Sequence, residues 1–290
     1  MIKYSMYKIY LLSIVYILTI LSSCGLNDNA APLPYYLDLK NPVVSTVDLV
    51  SEDTHRITDV YVFEDNQIIG VYPLPAKIPI IYKKDKVNIR ILAGVRNNGF
   101  QDTPIFYPFY RAINKEINPV ANETSIIDLD FSYMPNAKIS INENFESTDG
   151  FSLDLDNKPN TSLTLTTEEA SLGQSCAFAI LSGEQLYFEV ASNSGVRAGE
   201  NAGGASYLEF DYKGEGEIAV GILKIFRGQV TVQWVLFVPG KDDWNRIYVE
   251  LTNKLSSRDY DEYRIAFAFR KTGISSSPKI YIDNVKHLHF

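Results

Sequence analysis

The feature that most constrains this chain is alternation. From Ile57 onward apolar and polar side chains change places with period two over one short stretch after another, and no amphipathic run of ten or more residues has helical spacing. A period of two is that of a pleated strand, whose successive side chains point to opposite faces. ITDVYVFE (57–64) and QIIGVY (67–72) flank Asp65-Asn66, a pair suited to a hairpin turn. Further strands are predicted over 77–82, 86–93, 105–110 and 125–133, separated by Pro, Gly and Asn. Near 134–138 the pattern restarts, and ten strands follow: 139–146, 162–166, 175–181, 185–190, 206–212, 217–226, 229–238, 246–251, 263–269 and 279–288. The expectation is an all-β chain with one sandwich over 35–134 and a jelly roll over 139–290. The 19 Tyr and 15 Phe against 3 Met and 2 Trp agree, because aromatic side chains pack well on pleated surfaces.

Residues 1–23 stand apart. Lys3 and Lys8 precede an apolar run from Ile9 to Leu21, interrupted by Ser13 and Thr19, which has the form of a secretory signal peptide. At 13 residues the run is short of the roughly 20 that a membrane-spanning helix needs. It ends in Leu21-Ser22-Ser23-Cys24-Gly25, which resembles the lipobox of bacterial lipoproteins: an aliphatic residue, two small ones and an obligatory cysteine. That resemblance implies diacylglyceryl transfer to the Cys24 thiol, cleavage before it, and acylation, commonly with palmitate, of the new terminus. Two or three acyl chains hold a protein on a bilayer essentially permanently. GLNDNAAPLP follows, so 24–34 is expected to be a flexible tether. Gly25 is not the aspartate that retains enteric lipoproteins at the inner membrane, so an outer-membrane location is expected, facing either the periplasm or the cell surface.

The 35 acidic and 27 basic residues give a net charge of −8, which cleavage would deepen by two, and this excludes a polybasic nucleic-acid binder. Two cysteines are too few for a disulfide framework, and Cys176, in SCAFAIL, reads as a small buried hydrophobe. No catalytic signature appears: there is no H-E-x-x-H, G-x-S-x-G or P-loop, and Gly214-Glu215-Gly216 reads as a tight hairpin between strands. No enzyme is expected.

Two further resemblances carry functional implications. The segment from Ile57 to Val95 resembles small immunoglobulin-like surface modules of the PEGA type, although Asn66 stands where they prefer glycine, and implies an immunoglobulin-like sandwich with a structural or adhesive role. Asn144-Phe145-Glu146 and Tyr281-Ile282-Asp283-Asn284-Val285 resemble the opening and closing strands of galactose-binding-like jelly rolls, which include many carbohydrate-binding modules. Such modules often share a structural calcium between those adjacent strands, which would make Glu146 and Asp283 ligands, with Asp149 a further donor. The other reading pairs them with Lys286 or Arg264, or leaves them exposed.

Glycan-binding modules grip sugars by stacking pyranose faces on aromatic rings. In VTVQWVLFV alternation sets Trp234 among Val230, Val232, Leu236 and Val238, so a core position is favoured over a sugar platform, although both stay open. Trp244, after a polar turn, is better placed for solvent; Tyr207, Tyr187 and Tyr212 are further ligand candidates, as is Arg197 in the glycine-rich loop 192–205. The expectation is a lipid-anchored, non-catalytic envelope protein with a glycan ligand. The alternative is a scaffold subunit docking on an envelope protein partner.

Overall fold

The structure, a computed structural model, describes residues 33–45, 54–81, 84–100, 102, 104–147, 149–158, 162–200, 204–256, 259–273 and 275–290. The signal segment and Cys24 lie outside these residues. Eight strands form the first half: β1 (Tyr35–Ser45), β2 (Asp59–Glu64), β3 (Gln67–Pro73), β4 (Ala76–Ile80), β5 (Val87–Arg96), β6 (Pro104–Phe106), β7 (Ile113–Ile117) and β8 (Thr124–Ser132). They make two sheets, one in the order β4-β1-β8 and one in the order β3-β2-β5-β6, with β7 also on β5. The β2–β3 turn is the one expected: Asp65 and Asn66 both have positive φ, at 45° and 70°, as a two-residue hairpin that follows the strand twist requires. β1 was not expected as a strand because Asn41-Pro42 interrupts its alternation. The chain passes them as a bulge between Lys40 and Val43, so that Tyr35, Leu37, Leu39 and Val44 all reach the core and β1 runs parallel to β8.

The second half contains β9 (Lys138–Glu143), β10 (Leu153–Asp154), β11 (Thr164–Thr166), β12 (Cys176–Ile180), β13 (Tyr187–Ala191), β14 (Val196–Arg197), β15 (Ser206–Gly214), β16 (Glu217–Phe226), β17 (Gln229–Pro239), β18 (Asn245–Glu250), the single turn α1 (Thr252–Leu255), β19 (Glu262–Arg270) and β20 (Lys279–His289). One sheet runs β11-β12-β20-β15-β18 with β9 on β20; the other runs β10-β13-β19-β16-β17 with β14 on β19. First and last strands thus lie side by side, Val285 opposite Glu143. The chain is all-β, a pair of packed sandwiches. Gly214 and Gly216, both at positive φ, do not close a hairpin, because β15 and β16 belong to different sheets; the turn carries the chain from one sheet to the other.

Phe145, Phe151, Phe188, Phe210, Phe267 and Phe269 fill the space between the two sheets of the second sandwich, with Ile218, Val220 and Ile222 from β16. Cys176 is buried, and burial pushes its thiol up to about 12, so it behaves as a hydrophobe. The strands β15 and β20 are buried on both faces, which alternation alone does not predict. The reason is a third layer. The first sandwich covers the outer face of the β15–β20 sheet, and Tyr207, Tyr248 and Leu288 join its core beside Tyr107, Phe109 and Tyr110. Backbone bonds cross the seam as well, from Asn98 N to Tyr248 O at 2.7 Å.

Candidate functional site

The first sandwich covers one sheet of the second, and the β13–β19–β16–β17 sheet is the one whose outer face it leaves uncovered. Its residues fall into rows set by the registers. One row reads Glu189, Ala268, Ala219, Phe237; the next reads Ala191, Ala266, Gly221, Trp234; on the other side lies Tyr187, Arg270, Glu217, Pro239. The two central strands therefore present Ala268, Ala219, Ala266 and Gly221, whereas the outer strands present rings. At about 4.8 Å per strand the four strands span roughly 14 Å. Small side chains between taller walls make a trough, and a cavity of about 470 Å³ lies there, walled by Tyr187 and Leu186 on one side and Trp234 and Phe237 on the other. Tyr187 and Phe237 are 41% and 49% exposed.

Trp234 reaches this face through a bulge. Gly221 pairs with Trp234 and Val220 with Leu236, so Val235 is the extra residue and the phase of β17 reverses at it. Leu236 and Val238 stay on the core side, and the indole moves from the expected core to the open face, where it packs on Leu223, Ala191 and Ala266. Gly221 lets it lie flat: a Cβ there would sit 2.6 Å from Trp234 Cε3 and 2.9 Å from Cζ3.

Polar groups frame the rings. Arg270 pairs with Glu217 at 2.6 Å and lies 5.6 Å from the Phe237 ring, and Lys158 Nζ stands 3.7 Å over the Tyr187 ring. Burial, followed by the charge of Asp156, raises the Glu189 carboxyl above the usual carboxylate range. The trough thus offers aromatic side chains with a few donors and acceptors along its floor and rim.

The other candidates lie elsewhere. Tyr207 is 5% exposed and packs edge-to-face on Tyr107 in the seam, which shields it from any ligand in this arrangement. Trp244 does not reach the trough; it stands at the rim of the seam, edge-on to Tyr281. Arg197 is exposed on β14, its backbone N–H bonded to Glu200. Among the ligand candidates, the structure brings together Trp234 and Tyr187 and no others. Phe237, Glu189 and Arg270 were not singled out by sequence.

Glu146 and Asp283 both accept backbone N–H groups of the 171–175 loop. Glu146 Oε1 accepts the backbone N–H groups of Gln174 and Ser175, at 2.7 and 3.2 Å, and these hold its carboxyl below the usual range. Asp283 accepts those of Ser171, Leu172 and Asn284. Asp149 caps Phe151 N at 2.8 Å. Lys286 Nζ bonds Thr54, and Arg264 pairs with Glu262. The two carboxylates hold the 171–175 loop from both ends through its backbone N–H groups, and no group of three or more His, Cys, Asp or Glu suited to a metal ion occurs among the described residues.

No protein-family model matches the chain, and no curated protein matches it. Several solved structures are similar at low identity. A carbohydrate-binding module described as promiscuous and of the β-sandwich superfamily is 14% identical, with 80% of this chain and 84% of that one covered and a TM-score of 0.39. A family 11 module from Clostridium thermocellum, bound to a β-1,3-1,4-mixed-linked tetrasaccharide, is 15% identical over 53% of this chain and 95% of its own, with a TM-score of 0.37. A family 61 module bound to β-1,4-galactotriose is 12% identical over 53% and 99%, also at 0.37.

Proposed function

We propose that this protein is a non-catalytic glycan-binding protein that takes a saccharide chain along the trough between Tyr187 and Trp234. The observation that carries the reading is the rows of the open sheet: alanine and glycine on the two central strands, rings on the flanking ones, with Arg270, Glu217 and Glu189 beside them. A pyranose presents an apolar face of C–H groups and an equatorial ring of hydroxyls. The first stacks on an indole or phenol face, and the second needs donors and acceptors at the edges.

Lipid anchoring through Cys24 belongs to the same reading, supported by Leu21-Ser22-Ser23-Cys24-Gly25. The first sandwich then acts as a spacer holding the trough away from an outer-membrane anchor. Affinity gel electrophoresis of the purified full chain against soluble plant, host and microbial polysaccharides tests the binding reading. Retardation by at least one polysaccharide, weakened about tenfold or more in Trp234→Ala at unchanged melting temperature, is expected for a stacking residue at the centre of a site. Failure to bind any, together with a stoichiometric protein partner captured from membranes, would replace it with the scaffold reading.

A further inference from the structure

The seam between the two sandwiches holds a second, chemically different site. Two adjoining cavities of about 240 and 340 Å³ open along it, and both are lined by Arg56, Asn245 and Arg246. Arg96 and Lys241 border the first, and Trp244 the second. Of the four cations, two are neutralised. Arg246 pairs with Glu209 and Asp211, each at 2.9 Å, and Arg96 with Asp59 at 3.0 Å. Arg56 and Lys241 make no ion pair among the described residues, and both side chains are exposed. Asp211, the one acidic residue lining either cavity, has its two carboxylate oxygens taken by Arg246, Ser171 and Asn284.

A second observation points the same way. Two side-chain polar atoms of residues that line these cavities are buried without a hydrogen-bond partner, and both are donors: Nε of Arg246, a side chain 4% exposed, and Nε1 of Trp244. An unmet buried donor is costly, so the polar wall around these cavities is not fully satisfied by the protein itself. Arg56 and Lys241 are thus cations without an ion pair among the described residues, set beside two unmet donors in a chain of net charge −8.

We infer that the seam binds a small oxyanion, the carboxylate, sulfate or phosphate group of a molecule that fits these cavities. The guanidinium of Arg56 offers the planar fork of donors that such a group accepts, and Lys241 offers a point charge beside it. This inference does not depend on the trough, which uses ring faces on the opposite side of the same sandwich.

Calorimetric and thermal-shift titrations of the full chain with sodium sulfate, sodium phosphate and sodium glucuronate test it, with sodium chloride at matched ionic strength and glucose as controls. At least one oxyanion is expected to bind saturably and raise Tm beyond the chloride control. The double variant Arg56→Gln/Lys241→Gln, altered only at exposed positions, is expected to lose about tenfold or more in affinity, whereas Trp234→Ala retains it. Glucuronate alone binding would identify a carboxylate ligand, and sulfate or phosphate binding a tetrahedral one. No saturable response beyond chloride, or an equal response in the double variant, would overturn the inference.

Discussion

Position 287 holds a neutral imidazole where the fold leaves no room for a charged one. His287 is fully buried, with Ser140 Oγ 2.5 Å from Nδ1 and Ser206 Oγ 3.0 Å from Nε2, and burial, with a smaller push from His289, lowers its pKa to about 3. The unfolded chain takes up a proton near pH 6.5 that the folded one refuses until about 3, so this group removes stability as pH falls through that window, by up to about 1.4 kcal/mol per unit. Asp283 acts in the opposite sense. Burial raises it from 3.8 to about 7, so the folded state holds a proton there that the unfolded state releases, and its contribution improves as pH falls from 7 toward 4. Over pH 4–6.5 the two offset each other. Urea midpoints across that range are therefore expected to fall more steeply on acidification in Asp283→Asn than in the parent; parallel profiles would show that Asp283 does not hold its proton.

One extra residue in β17 decides what the molecule offers to a ligand. Without the bulge at Val235, Trp234 would share a face with Leu236 and Val238 and sit in the core, as strict alternation predicts. Gly221→Ala tests the cradle beneath it: the added Cβ meets the indole at 2.6 Å and must tilt it off the sheet. Glycan affinity is expected to drop about tenfold while stability changes by no more than about 1–2 kcal/mol, the scale of overpacking at a site that can yield. Unchanged affinity would mean that the flat indole is not the platform. Most strands were legible because alternation is a local signal, and β16 occupies 217–226 as read. β1, β7, β10 and β14 were not, since Asn41-Pro42 hides the first, charge the second (INKEI), and the last two are only two residues long. A bulge leaves no mark in composition, so the orientation of Trp234 could not be read. The floor of the trough did leave one: in AVGIL of β16 and AFAF of β19 small residues alternate with large ones, the pattern of a face kept low. The covering of the β15–β20 sheet depends on contacts between residues more than a hundred positions apart, such as Tyr107 with Glu209, and no sequence period reports those.

At the scale of the whole molecule, the seam makes the two sandwiches one folding unit. Tyr207, Tyr248 and Leu288 of the second are core residues of the first, and Arg246, 4% exposed, sits between Glu209 and Asp211 beneath the junction. Calorimetric melting is expected to show a single transition, and two well-separated ones would show that the seam contributes little. Arg246→Ala leaves two buried carboxylates without their cation and is expected to cost about 3–5 kcal/mol, read as a lowered urea midpoint. At the other end of the chain, Cys24→Ala is expected to move the protein from the membrane to the soluble fraction and abolish labelling by radioactive palmitate, whereas retention of both would refute lipidation at that residue.

Two tryptophans, one in each region, permit a direct test. Trp234 lies in the trough and Trp244 at the seam, and the chain has no others. In a Trp244→Phe protein all tryptophan emission comes from the trough. Titration of that protein with a polysaccharide that retards it in affinity gels is predicted to change the intensity and wavelength of Trp234 emission saturably, at the concentration where the gel shift occurs. Binding that leaves Trp234 emission unchanged, and instead alters Trp244 in a Trp234→Phe protein, would contradict the account by placing the glycan away from the open sheet.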